Sequence, residues 1–84
     1  MKTVRFSQHA LEKFETLERH GFKITEEAII ATVQSPDKVE LDKNPPIAQR
    51  RISENTVLRV VYTEDEDSYF IVTFYPGERK RYED

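Results

Sequence analysis

The chain contains no cysteine, which removes disulfides, thiol catalysis and any Cys-ligated zinc or iron–sulfur site at once. Glycine occurs only twice, at Gly21 and Gly77, so no Gly-rich loop exists to cradle a nucleotide phosphate. Each of the two reads as a helix C-cap or a turn. No apolar run approaches the roughly 18–20 residues that span a bilayer. The opening Met1-Lys2-Thr3-Val4-Arg5 has a basic start but not the apolar stretch of a secretory signal. The expectation is a cytoplasmic protein with no membrane partner. A basic excess is lacking too, because 13 Lys and Arg stand against 16 Asp and Glu, a net charge of −3. Taken whole, that balance argues against nucleic-acid binding.

What is present changes that reading. The 84 residues, 35% of them charged, describe one domain over 1–84. A domain of this size buries about 60% of its unfolded surface and leaves little room for an internal ligand cavity. The charge is unevenly spread. Residues 1–42 are net acidic, whereas Lys43, Arg50, Arg51 and Arg59 face only Glu54 in the next stretch. Glu64, Asp65, Glu66 and Asp67 then form an acidic run, Arg79, Lys80 and Arg81 face Glu78, and Glu83 with Asp84 closes the chain. The cations therefore gather in the C-terminal half.

Ser7 is placed to cap a helix with the stripe Ala10, Phe14 and Leu17, flanked by Leu11 and ending at Gly21. Thr25 caps a second helix, with Glu26 and Glu27 in its first turn, Ala28, Ile29, Thr32 and Val33 facing inward, and Pro36 as its stop. From residue 38 the apolar period becomes two. Val39 and Leu41 mark a short strand, Gln49–Ser53 a second, Thr56–Thr63 a third and Tyr69–Tyr75 a fourth, the last two joined by the acidic turn. Alternation puts Leu58, Val60 and Tyr62 on one face and Val57, Arg59 and Val61 on the other. It likewise sets Phe70, Val72 and Phe74 against Tyr69, Ile71, Thr73 and Tyr75. The expected fold class is α+β, with two N-terminal helices packed on one face of a four-stranded antiparallel β-meander.

Two histidines invite a metal reading, but His9 and His20 are eleven positions apart, about 16 Å along one helix, which excludes a shared ion. No metal or cofactor is expected. What remains is a set of cations, aromatics and imidazoles suited to RNA. Arginine pairs bidentately with phosphate, tyrosine stacks on an unpaired base, and an imidazole can move the protons of a 2′-hydroxyl attack. Metal-free cleavage needs a base, an acid and fixed positive charge on the phosphorus. His9 or His20 suits acid or base, and Arg51, Arg59 or Arg81 suits the phosphate. Each residue also has a structural role open to it. His9 and His20 can serve helix-end hydrogen bonding, Arg59 can pair with a helix glutamate, Arg79-Lys80-Arg81 can protect a strand end, and Tyr75 and Tyr82 can pack on the sheet.

The order Arg19-His20-Gly21, Thr25-Glu26-Glu27-Ala28, Pro36-Asp37, Leu58-Arg59-Val60-Val61-Tyr62, Ile71-Val72-Thr73 and Glu78-Arg79-Lys80-Arg81-Tyr82 resembles the BrnT-like toxins, within the RelE/ParE toxin superfamily. His9-Ala10, Thr73-Phe74-Tyr75-Pro76 and Arg81-Tyr82 resemble a little-characterised relative in that group, and the likeness covers roughly residues 6–83. BrnT-like chains carry Ser-Ala-Arg at the end of the penultimate strand, where this chain has Thr73-Phe74-Tyr75. The resemblance implies a RelE-like fold and a toxin-type, metal-independent endoribonuclease acting on RNA or ribosome-bound mRNA, neutralised by a small antitoxin protein. With the residue reading, it implies His20, Arg51, Arg81 and Tyr82 as catalytic, and Arg50, Arg59, Arg79, Lys80, Tyr75 and His9 as RNA-binding. The alternative is a non-catalytic protein- or RNA-binding module of the same fold.

Overall fold

Ser7 does more than begin a helix. Its side chain accepts from the Ala10 amide at 3.0 Å while its hydroxyl donates to the Val72 carbonyl at 2.7 Å, so one residue caps the helix and ties it to a strand. The computed structural model describes residues 2–83; Met1, which opens the basic start, and Asp84, which closes the acidic tail, lie outside the described residues. The elements in chain order are β1 (Thr3–Phe6), α1 (Gln8–Arg19), α2 (Glu26–Gln34), β2 (Lys38–Glu40), β3 (Ile47–Arg51), β4 (Thr56–Glu64), β5 (Ser68–Glu78) and α3 (Arg79–Tyr82). Thr25 caps α2 through the Ala28 amide at 3.1 Å, as its sequence predicts. Gly21 ends α1 with φ +91°, a conformation that a side chain rarely adopts.

The sheet has five strands in the order β1-β5-β4-β3-β2. This corrects the four-stranded antiparallel meander: β1 adds parallel to β5, pairing Val4 with Tyr69 and Phe6 with Ile71, and makes the sheet mixed. The class is still α+β. A third helix is also present, because the Arg79-Lys80-Arg81 run lies in a helical turn instead of continuing a strand edge. Leu41 falls just outside β2 and is 77% exposed, so it closes no strand.

Both long helices lie on one face, α1 against β5 and α2 against β3 and β4. Ala10, Ile29, Val33, Ala48, Leu58, Val60, Ile71 and Phe74 form the buried core between them. The pairing of β4 with β5 shifts register between Val61 and Tyr62, so that Val61 faces Thr73 while Tyr62 faces Ile71. Val72 is the extra residue of a bulge, and it brings both Ile71 and Phe74 to the core. Strict alternation in β5 is therefore corrected: Phe70 is 37% exposed whereas Phe74 is fully buried. Among the described residues, no helix is long and apolar enough to cross a membrane.

Candidate functional site

The sheet face away from α1 and α2 carries a row of polar side chains between apolar ones such as Val57 and Val61, and the strand register explains the row. Lys38 pairs with Gln49, Gln49 with Arg59 and Arg59 with Tyr75, which sets four hydrogen-bonding side chains in one row across β2, β3, β4 and β5. Arg59 is only 3% exposed, so its charge must be met from within. Its Nε donates to Tyr75 Oη at 3.0 Å, both terminal nitrogens donate to the Glu40 carboxylate at 3.1 and 3.2 Å, and Gln49 Oε1 accepts a further bond. Burial works against the Arg59 charge, but the bonds to Glu40 and Tyr75 outweigh it and raise the pKa. The same bond from Arg59 holds the Glu40 carboxyl below the usual carboxylate range.

The C-terminal turn closes over this row. The Tyr82 ring lies 4.2 Å from the Arg59 guanidinium, and the Tyr82 carbonyl accepts from Lys38 Nζ at 2.8 Å and Gln49 Nε2 at 3.3 Å. Gly77 lies beneath that ring in β5, not in a turn or at a helix end, and a Cβ there would overlap the ring carbons. Gly77→Ala is accordingly expected to lift α3 off the sheet. Loss of a stack worth roughly 1 kcal/mol should make trypsin cut after Arg79, Lys80 and Arg81 about fivefold faster, read by mass spectrometry. An unchanged cleavage rate would show that Tyr82 is not held there.

Outside this closed network lies an open cationic surface. Arg51 at the end of β3 and Arg79 at the start of α3 come together there, and Lys80 and Arg81 follow on α3. Arg51 Nε and Arg79 Nε donate to the two oxygens of the Glu83 carboxylate, at 3.4 and 2.6 Å. Arg79 holds the Glu83 carboxyl below its ordinary range, with Arg51 adding to the effect. Arg79 also donates to the Glu54 carbonyl at 3.2 Å, and Arg50 to the Ser35 carbonyl at 2.6 Å. Lys80 and Arg81 are exposed, and Arg81 lies 5.7 Å from the Tyr82 ring.

The imidazoles are placed differently. His9 is exposed at the start of α1, and His20 caps its far end. The carbonyl of Thr16 can only accept, so the 2.8 Å contact makes His20 Nδ1 the donor and leaves Nε2 as the lone-pair nitrogen of the neutral ring. Phe22, two positions later, lines a groove with Gly77, Glu78, Arg79, Lys80 and Glu83; His20 itself is not among its lining residues. Tyr69 lies on the helix-covered face, edge-on to Tyr62, away from the arginines.

The structure thus divides the candidate residues. Arg59, Tyr75 and Tyr82 are engaged in the sheet network; Arg50 and Arg51 at the end of β3 and Arg79, Lys80 and Arg81 on α3 lie at one end of the sheet; His9 and His20 stand at the two ends of α1. Arg59 pairs with Glu40 at the end of β2, not with a helix glutamate. Glu40, Gln49, Lys38 and Glu83 complete the site, and no sequence motif singles them out. The only sequence trace of Gln49 is its place in a short strand, where nothing marks it as buried. Among the described residues, no three His, Cys, Asp or Glu side chains group as metal ligands. No family model, curated protein or solved structure matches this chain.

Proposed function

We propose that this domain is an RNA-directed endoribonuclease of the BrnT-like, RelE/ParE toxin type, held in check by a small antitoxin protein. The observation that carries the reading is the set of cations at one end of the sheet: Arg50 and Arg51 line one groove, Arg79 and Lys80 line a second that Phe22 also lines, and Arg81 lies 5.7 Å from the Tyr82 ring. Guanidinium forks recognise phosphate, and the half-buried Tyr82 ring lies beside Arg81, where an unpaired base would meet both an aromatic and a cation. In this reading Arg51, with Arg79 and Arg81, holds the scissile phosphate, His20 Nε2 takes the 2′-hydroxyl proton without a metal ion, the 2′-oxygen bonds to phosphorus as the P–O5′ bond breaks, the 5′-oxygen leaves with a proton from water, and Arg50 and Lys80 follow the backbone. Arg59 and Tyr75 act through position, by holding Tyr82. RNA or ribosome-bound mRNA is the substrate class.

A second reading is a non-catalytic RNA- or protein-binding module of the same fold. It is favoured by the engagement of Arg59 and Tyr75 within the sheet and by the His20 bond to its own helix. Induced expression separates the two. The intact chain is expected to arrest growth and to cut RNA or ribosome-bound message. The Arg51→Ala, Arg81→Ala and His20→Ala variants are expected to relieve arrest, with His20→Ala still binding RNA. An intact chain that binds RNA with a steep salt dependence but neither cuts it nor arrests growth would establish the module instead.

A further inference from the structure

The Arg51 and Arg79 guanidinium groups reach the same carboxylate from different elements, one from the end of β3 and one from the first residue of α3. Each donates to its own oxygen of Glu83. Two planar donors bridging the two oxygens of one anion is the arrangement that also fits two non-bridging oxygens of a phosphate. Glu83 is moreover a wall shared by two surface grooves. One holds Arg79 and Lys80, and the other holds Arg50 and Arg51. Glu78 also lines the first and Asp37 the second, but with Glu83 turned outward the cations of the joined surface, Lys38, Arg50, Arg51, Arg79 and Lys80, would outnumber those two acids.

We propose that Arg51 and Arg79 form a phosphate-oxyanion site that the chain's own Glu83 carboxylate occupies, and that a phosphate group binds by displacing it. The RNA reading above supplies only the natural ligand, a phosphodiester; the site itself rests on the side-chain geometry. Displacement is easy on physical grounds, because Arg51, Arg79 and Glu83 are 48%, 40% and 25% exposed, and exposed ion pairs are weak. The pocket keeps its shape when Glu83 leaves. Arg79 stays bonded to the Glu54 carbonyl, the Arg51 amide stays bonded to Asp37 Oδ2 at 2.8 Å, and the Glu83 amide stays on the Arg79 carbonyl at 2.8 Å. The site also shows how a chain of net charge −3 can present cations to RNA: one anion covers them until a stronger one arrives.

The test compares the intact chain with Glu83→Gln, using inorganic pyrophosphate as the probe and the Arg Nε–Hε resonances as the readout. The charge-matched control is Glu66→Gln in the acidic turn. E83Q is expected to bind pyrophosphate about fivefold more tightly than the intact chain, with shifts centred on Arg51 and Arg79. Adding Arg51→Ala should abolish the gain, and E66Q should show none. Equal affinity of E83Q and the intact chain, the same gain in E66Q, or no measurable binding by E83Q would overturn the site. A short single-stranded RNA is titrated in parallel. A pyrophosphate gain without RNA binding would keep the site and remove the RNA reading, whereas RNA binding with no gain in E83Q would do the reverse.

Discussion

Glu40→Ala is expected to destabilise the domain by about 3 kcal/mol, because it leaves the Arg59 guanidinium buried without its counter-charge. A domain of this length has a total stability of only about 4–13 kcal/mol, so the loss is severe. Arg59 is 3% exposed and gives two of its bonds to Glu40. Water cannot fully replace them while Tyr82 covers the ring side. Urea unfolding followed by circular dichroism measures the change, and a loss under about 1 kcal/mol would mean that solvent reaches Arg59 after all. Replacing Arg59 by Met together with Glu40 by Leu should recover only part of the loss. That pair removes both charges but strips Gln49 Oε1 and Tyr75 Oη of their donor.

The same pair sets a pH dependence. Arg59 depresses the folded-state pKa of Glu40 below its ordinary 4.5. The unfolded chain therefore takes up this proton first as pH falls. The stabilisation is complete above the ordinary value and is lost below it, toward the depressed value. Glu40→Gln, which cannot ionise, should be less stable than the intact chain at pH 7 and should lose stability less steeply below about pH 4.5.

Phe74→Ala is expected to cost about 3–5 kcal/mol, and Phe70→Ala less than about 1 kcal/mol, although the two residues lie four apart in one strand. Phe74 is fully buried, its ring 4.7 Å from that of Phe14, which in turn packs 5.9 Å from Phe6. Removing it opens a cavity between α1 and the sheet that Val60 and Ile71, both held on strands, cannot fill. Phe70 is on the other face, next to Arg5 of β1, and is 37% exposed. Equal losses for the two variants would mean that the Val72 bulge does not exist and that β5 alternates regularly. Chemical denaturation of the pair decides between these.

Much of this architecture is local and was legible in the chain. Ser7 and Thr25 cap the helices they were expected to cap, since capping needs only an oxygen within three residues of the amide it serves. The β4–β5 hairpin follows from β-branched and aromatic runs around an acidic turn, and that turn closes through Asp65 Oδ1, which accepts from the Asp67 and Ser68 amides. Thr3-Val4-Arg5-Phe6 alternates as a strand should, yet four residues carry little weight until β5 offers a parallel edge. The bulge at Val72 leaves no local signal, because it depends on the register of two strands.

The α+β class, both capped helices, the strong hairpin and the gathering of cations in the C-terminal half follow from the order of residues. These depend on neighbours along the chain or on composition. Which cations face solvent follows from the folded packing. Arg59 and Arg51 are both arginines on adjacent strands, but Arg59 sits in mid-strand under Tyr82, where burial demands Glu40, Gln49 and Tyr75 as partners. Arg51 sits at a strand end and shares Glu83 with Arg79. Which charge is enclosed and which is presented depends on burial and on partners distant in sequence, and folding alone brings those together.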